Sequence, residues 1–333
     1  MLSTKTDVDE LGNNTGVYGN GLPIPIVSYG DVVLRVGNSA ENTFVQDGQD
    51  IVYIGGPSRQ RIIVTPIDNR GTIIVRTNGD TLGPLVVGPN GRIRIHGLSG
   101  NDRISVGAIG RPVWIDGGNG NDQIHGGTGD DVLIGGFGND LINGGGGDNW
   151  IDGEAGNDQL FSRDGKDTLF GGHGNDHLSS GSGDDYLEGN DGDDQLIGGA
   201  GWDVLLGVDG DDWLDGGSGA DLINGGRGDD VLHGQSGNDI LIGGSGEDRL
   251  NGGKKHDVLI GGIANLDLQD LMELLVSWAE NAPISTPIDI APFEHRDDNN
   301  FDRLLGGAGQ DLLIVGNSDV VQVPRSNDHV LQL

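Results

Sequence analysis

The sequence has no cysteine, which removes disulfides, thiolate metal sites and cysteine nucleophiles together. Aromatic residues make up only 5% of its 333 residues, too few bulky side chains for a large interdigitated core of helices and sheets. Basic residues are scarce: 19 Lys and Arg stand against 52 Asp and Glu, a formal net charge of -33. A chain of that sign repels phosphate backbones and anionic lipid surfaces, so nucleic acid and membrane surfaces are disfavoured and cations are the natural partner. No apolar run approaches the roughly 18 residues of a membrane span. The stretch Met1 to Asn14 is polar and acidic, without the apolar region of an amino-terminal secretion signal. Catalytic signatures are missing too. No H-E-x-x-H surrounds any of the 8 histidines, no serine sits in G-x-S-x-G, and no G-K-[ST] phosphate loop occurs. The expectation is a protein that is not an enzyme, with His125, His173 and His233 as surface residues of turns or strands.

What the chain has in excess is glycine, 65 residues of it, and most of these fall into a pattern. From Gly117 to Ile260 the sequence repeats as nonapeptides without a register slip, as in GGTGDDVLI (126–134), GGFGNDLIN (135–143) and GGRGDDVLH (225–233). The template is G-G-x-G-x-D-x-U-x, with U a large aliphatic residue. Position 8 is aliphatic in every unit, from Ile124 and Leu133 through Leu250 and Leu259. Position 4 is glycine everywhere except Lys255. Position 6 is Asp122, Asp131, Asp140, Asp158, Asp167, Asp176, Asp185, Asp194, Asp203, Asp212, Asp221, Asp230, Asp239, Asp248 and Asp257, with Asn149 the one exception.

Each position has a physical reading. Glycines supply the backbone conformations of a tight turn and let adjacent turns stack closely. Such a turn points carbonyl oxygens inward. Calcium takes six to eight oxygen ligands at about 2.3–2.6 Å, carbonyls and carboxylates alike. The position 6 aspartates are therefore the candidate metal ligands, and the position 8 aliphatics the inward-facing core of a thin sheet pair. Aspartate also forms Asx-turns, which is the alternative reading. That alternative does not explain why position 6 is nearly always Asp while position 5 mixes Asn121, Asp130, Asn139 and Asp148. A row of close carboxylates would repel itself unless a cation lay between them.

The repeat resembles the hemolysin-type (RTX) calcium-binding repeats of bacterial secreted proteins. Good matches cover 117–260, with looser units at 97–105 (GLSGNDRIS) and 306–314 (GGAGQDLLI). The resemblance implies an all-β, right-handed parallel β-roll with several calcium ions between stacked turns. Two units make one coil, six residues of each forming a calcium-binding turn and three a short strand. It also implies a secreted, extracellular protein whose export signal lies at the carboxyl end. The tail Asp328 to Leu333 is loosely similar to such signals.

The expected organisation is a disordered arm (1–23), an amino-terminal β segment with transition coils (24–116), the calcium-binding roll (117–262), a helix with a Pro-rich capping loop (263–300), and a final repeat, last strand and tail (301–333). Within 24–96 the β-branched runs Val32–Val36, Ile51–Ile54, Arg61–Thr65, Thr72–Arg76 and Arg92–His96 read as strands that lead into the roll and cover its first coil. A separate small β-domain is the alternative. The unit at 108–116 has Val113 where Asp is needed and reads as a transition coil. Leu268, Leu271, Leu275 and Trp278 recur at helical spacing before Pro283, which predicts a helix packed on the roll as a cap.

Two further expectations concern particular turns and faces. The gap served by Asn149 should bind calcium weakly, and Lys254, Lys255 and His256 should end the calcium row on their edge. Alternate units place Val204, Leu222, Ile240 and Val258 with Leu206, Ile242 and Ile260 on one outer face, too much apolar surface to leave exposed. Its cover would be the 266–280 helix and loop, a second copy, or another domain. The functional expectation is a calcium-driven structural or adhesive module. The alternative is a polysaccharide-binding accessory, which would want a row of aromatic rings on one face, whereas the tryptophans are scattered.

Overall fold

The computed structural model describes residues 93–264 continuously and, outside that span, strand segments between 43 and 87 and between 295 and 332. Residues 1–42 and 265–294 lie outside the described residues, and with them the expected arm, the Val32–Val36 strand and the capping helix.

The nonapeptide period becomes a strand period. Each aliphatic triplet at positions 7 to 9 continues through the first glycines of the next unit as one strand, for example Val132–Phe137, Trp150–Ala155 and Thr168–His173. Successive units then turn to the opposite sheet. Strands pair in parallel with the strand one full coil away: Val132 with Trp150, Leu133 with Ile151, Ile142 with Leu160. Among the described residues the outcome is two sheets of 14 strands each, wound as an all-β parallel solenoid, with one further two-stranded sheet.

Strand side chains alternate between faces, so position 8 points inward from both sheets. Leu133, Ile142, Ile151, Leu160, Leu169, Leu178 and Leu187 are all 0% exposed and form one continuous column. Burying an aliphatic side chain of this size stabilises by about 1.5–3 kcal/mol. The core is therefore one residue thick on each sheet and needs no aromatics, which accounts for the composition.

Both ends depart from the simple coil. Asp50–Ile54 pairs in parallel with Ile93–His96 and antiparallel with Thr43–Asp47. Arg61–Pro66 pairs in parallel with Arg103–Val106 and antiparallel with Thr72–Arg76, and Thr81–Val86 adds a further strand despite Pro84. The amino-terminal strands thus extend the two sheets of the solenoid. At the other end the chain leaves the two large sheets after Ile260 and rejoins them from Asp302 in perfect register: Leu250 pairs with Leu304 and Leu259 with Leu313. The last two strands are Val320–Val321, on Arg303–Leu304, and His329–Gln332, on Leu312–Val315.

The apolar outer face is buried within the single chain toward this end. Leu222, Ile240, Val258 and Ile260 are at most 2% exposed although they point away from the core. The strand Ile263–Ala264 packs beside Ile240–Ser245 and pairs with His295–Arg296.

Candidate metal centre

Stacking the turns brings the position 6 side chains into two rows. One edge carries Asp122, Asp140, Asp158, Asp176, Asp194, Asp212, Asp230 and Asp248; the other carries Asp131, Asn149, Asp167, Asp185, Asp203, Asp221, Asp239 and Asp257. None is more than 3% exposed. In both rows the backbone N–H of one residue donates to Oδ1 of the equivalent residue in the next coil. Asp122 N–H donates to Asp140 at 2.7 Å, Asp158 N–H to Asp176 at 2.7 Å and Asp203 N–H to Asp221 at 3.0 Å. A parallel ladder on the surface uses position 5 and runs the other way: Asn139 N–H donates to Asn121 Oδ1 at 3.1 Å and Asp211 N–H to Asp193 Oδ1 at 3.0 Å. That outer ladder needs one carbonyl-type oxygen, which Asn and Asp both offer, so position 5 accepts either.

Position 6 has a second oxygen with a different task. Oδ2 of Asp122, Asp131, Asp140, Asp158, Asp203 and Asp239 is buried and has no hydrogen-bond donor. A Cβ built on Gly126 would lie 2.6 Å from Asp131 Oδ2 and 2.7 Å from the Gly144 carbonyl oxygen of the next coil. At Gly234 the same test meets Asp239 Oδ2 at 2.5 Å and Gly252 O at 2.6 Å. At these turns glycine leaves open the space a Cβ would fill, and a carboxylate and a carbonyl oxygen converge there. The position 4 carbonyl also faces the following coil, as Gly120 O does toward Gly138.

Two acceptors that face each other without a donor need a cation or a proton between them. Burial accordingly pushes these carboxylates up: Asp122 to about 6, Asp140 to about 7, Asp158 to about 8 and Asp239 to about 9. Desolvation is the largest cause; the ladder N–H opposes it and neighbouring carboxylates add to it. Among the described residues no three His, Cys, Asp or Glu side chains gather around one point. A metal in these gaps must therefore take backbone carbonyl oxygens, which suits a hard cation such as calcium and not zinc.

A family model of the RTX calcium-binding nonapeptide repeat matches residues 116–151, 143–178, 152–187, 179–214, 206–241 and 242–265. This chain carries RTX calcium-binding nonapeptide repeats. Among solved structures the chain is similar to a hyperactive, Ca2+-dependent, β-helical antifreeze protein from an Antarctic bacterium, at 19% identity over 73% of this chain and 75% of that one, with a TM-score of 0.30. A search of curated proteins finds no match.

The RTX ladders extend beyond the aspartates predicted from the strict repeat. Asp102 heads one row, donating its N–H to Asp122 Oδ1 at 2.6 Å and accepting from Gln60 N–H at 2.6 Å. At the far end Asp248 N–H donates to Asp302, Asp302 N–H to Asp319, and Asp257 N–H to Asp311. The loose units 97–105 and 306–314 carried the signal for Asp102 and Asp311. Asp302, where the repeat resumes, completes a turn that the chain leaves between Gly261 and Asp302. In the unit at 108–116, Val113 stands at position 6 without a carboxylate, and its N–H donates to Asp131 Oδ1 at 2.8 Å. The row with Lys255 does not stop there as a hydrogen-bond ladder, since Asp257 passes it on to Asp311. Lys255 adopts the left-handed conformation of its glycine counterparts, with φ 82°.

Proposed function

We propose that this protein is an extracellular calcium-binding repeat protein with a structural or adhesive role, whose coils fold around ions held between stacked turns. The observation that carries the reading is the buried pairing of Asp Oδ2 with a carbonyl oxygen of the next coil, as at Asp131 and Gly144 O, with no donor between them. The ligand set would be Asp122, Asp131, Asp140, Asp158, Asp167, Asp176, Asp185, Asp194, Asp203, Asp212, Asp221, Asp230, Asp239, Asp248 and Asp257, completed by turn carbonyls of positions 1 and 4. Each position 1 cradle contributes a single carboxylate, a low ligand charge that belongs with the roughly 10⁻⁴–10⁻³ M affinities of extracellular calcium modules. In the low calcium of a cell interior these carboxylates oppose folding; outside, calcium reverses that balance.

A site filled at ten times its Kd contributes about 1.4 kcal/mol, so several sites together match the usual net stability of about 5–15 kcal/mol. Far-ultraviolet circular dichroism of the full chain should show strand structure in millimolar calcium and lose most of it in excess chelator. A spectrum and melting temperature unchanged by chelator would sink the reading.

The glycan-binding alternative gains one observation. Trp150, Phe170 and Tyr186 form a row on adjacent coils, with ring centroids 5.7 and 5.9 Å apart. The rings are tilted at 53° and 55°, and Phe170 is 6% exposed. They pack on one another and do not present a flat platform to a sugar, which favours the structural role.

A further inference from the structure

Along one edge the cradle changes character over consecutive turns. At Asn149 the backbone N–H of Asp131 donates to Oδ1 at 3.1 Å, so the amide must turn its nitrogen toward the turn interior. That nitrogen donates to Gly147 O at 3.0 Å and is the atom nearest the Cβ position of Gly144, at 2.9 Å. A donor thus stands where the neighbouring turns hold Oδ2.

In the following turns the glycine of position 1 is replaced by Ser162 and then Ser180, which are 8% and 0% exposed. Each has a real Cβ in the space that glycine leaves open elsewhere. The Ser162 hydroxyl donates to Ser180 O at 2.9 Å and the Ser180 hydroxyl to Gly198 O at 2.7 Å. These are the same position 1 carbonyls of the next coil that face only a carboxylate at Gly126 and Gly234. The strand Gln159–Phe161 ends before Ser162, with isolated bridges at Asp164, whereas His177–Ser182 runs unbroken through Ser180. Beyond them the open cradle returns, with Asp203 Oδ2 at 2.5 Å and Gly216 O at 2.9 Å from the Cβ position of Gly198. On the opposite edge the same coils keep intact cradles, such as Gly153 between Asp158 Oδ2 and Gly171 O.

We propose that the turns of Asn149, Ser162 and Ser180 hold no calcium because their own amide and hydroxyl donors occupy the cation's place, which splits the calcium row of that edge in two. The inference rests on the proposed reading of the cradles as calcium sites. A cation needs oxygen lone pairs directed at it, and here one turn presents N–H and two have their carbonyl already bonded and the space filled by carbon. These coils are then calcium-bound along one edge and pinned by protein donors along the other.

The test is the calcium content of the full chain, by equilibrium dialysis in saturating calcium with atomic absorption, for wild type and for the triple variant N149D/S162G/S180G. The variant should bind about three more ions per chain, one for each restored turn. Equal content in both would overturn the inference. No bound calcium in either would overturn the underlying reading of the cradles instead. An anomalous difference map of calcium-loaded wild-type crystals gives the same decision without a variant. Peaks beside Asp131 and Asp203 with none beside Asn149, Ser162 and Ser180 are expected; peaks of full height at those three turns overturn it.

Discussion

The two oxygens of each position 6 aspartate do different work, and single substitutions separate them. Oδ1 closes the coil-to-coil ladder; Oδ2 faces the cradle. Asp194→Asn keeps an oxygen for the ladder bond from Asp176 N–H, 2.7 Å in the native protein, and replaces the cradle oxygen by an amide. The calcium midpoint of folding should move to higher concentration while the calcium-loaded spectrum stays native. Asp194→Ala loses both roles and should cost about 1–3 kcal/mol more, from the unsatisfied buried N–H. Calcium titrations followed by circular dichroism compare both variants with the wild type; an Asp194→Asn midpoint equal to the wild-type one would mean that Oδ2 has no ligand role.

Protons should compete for the same oxygens. The carboxylates of Asp131, Asp158, Asp194 and Asp230 are each pushed up to about 8, from an ordinary value near 3.8, chiefly by desolvation. Their protonated form is the one the fold favours. The calcium-free chain is therefore most stable below the ordinary value and loses that stability as pH rises through about 8. The strand signal that survives in chelator should fall between pH 5 and pH 9, and calcium binding should release protons near neutrality. A calcium-free strand signal that rises over this range would contradict the assignment.

At the scale of the turn, glycine at position 4 is set by stacking distance. Gly183 has φ +141°, and a Cβ there would collide with Gly165 O of the preceding coil. Gly183→Ala should destabilise by well over the about 1 kcal/mol that an unstrained glycine-to-alanine change involves, because neighbouring coils cannot separate without breaking sheet bonds. Thermal melts in saturating calcium would show it. The inward triplet residue gives the contrasting case. Leu187→Ala empties a 0% exposed site in the core column and should cost about 2–5 kcal/mol, with the number of bound ions unchanged.

Over the whole molecule, the excursion after Ala264 is topologically dispensable to the sheets. Leu259 pairs with Leu313 as if the intervening residues were not there. Deleting residues 264–299 with Asn300→Gly restores the nonapeptide spacing between Gly261 and Asp302. The shortened chain should keep its calcium-induced spectrum. It removes the strand pair beside Ile240–Ser245, so it should also bind a hydrophobic dye and self-associate, measured by sedimentation. A chain that no longer folds in calcium would show that the excursion is part of the solenoid's own stability.

The sequence alone determined the repeat unit, the inward column and the candidate ligands of 117–260, because a solenoid contact is always made to the same position one coil on. A local pattern repeated in fixed register therefore specifies its own neighbours. The amino-terminal strands Thr72–Arg76 and Asp50–Ile54 were legible for the simpler reason that β-branched runs sit between turn signals. Only the tertiary structure decided what needs a partner from another coil. It showed that position 6 serves a ladder with one oxygen and a cradle with the other. It joined Asp302 to a row whose previous member, Asp248, lies 54 residues earlier. It also turned Ser162 and Ser180 from imperfect repeats into donors, since a hydroxyl gains its meaning from the carbonyl it meets in the next coil, and no window of one repeat contains both.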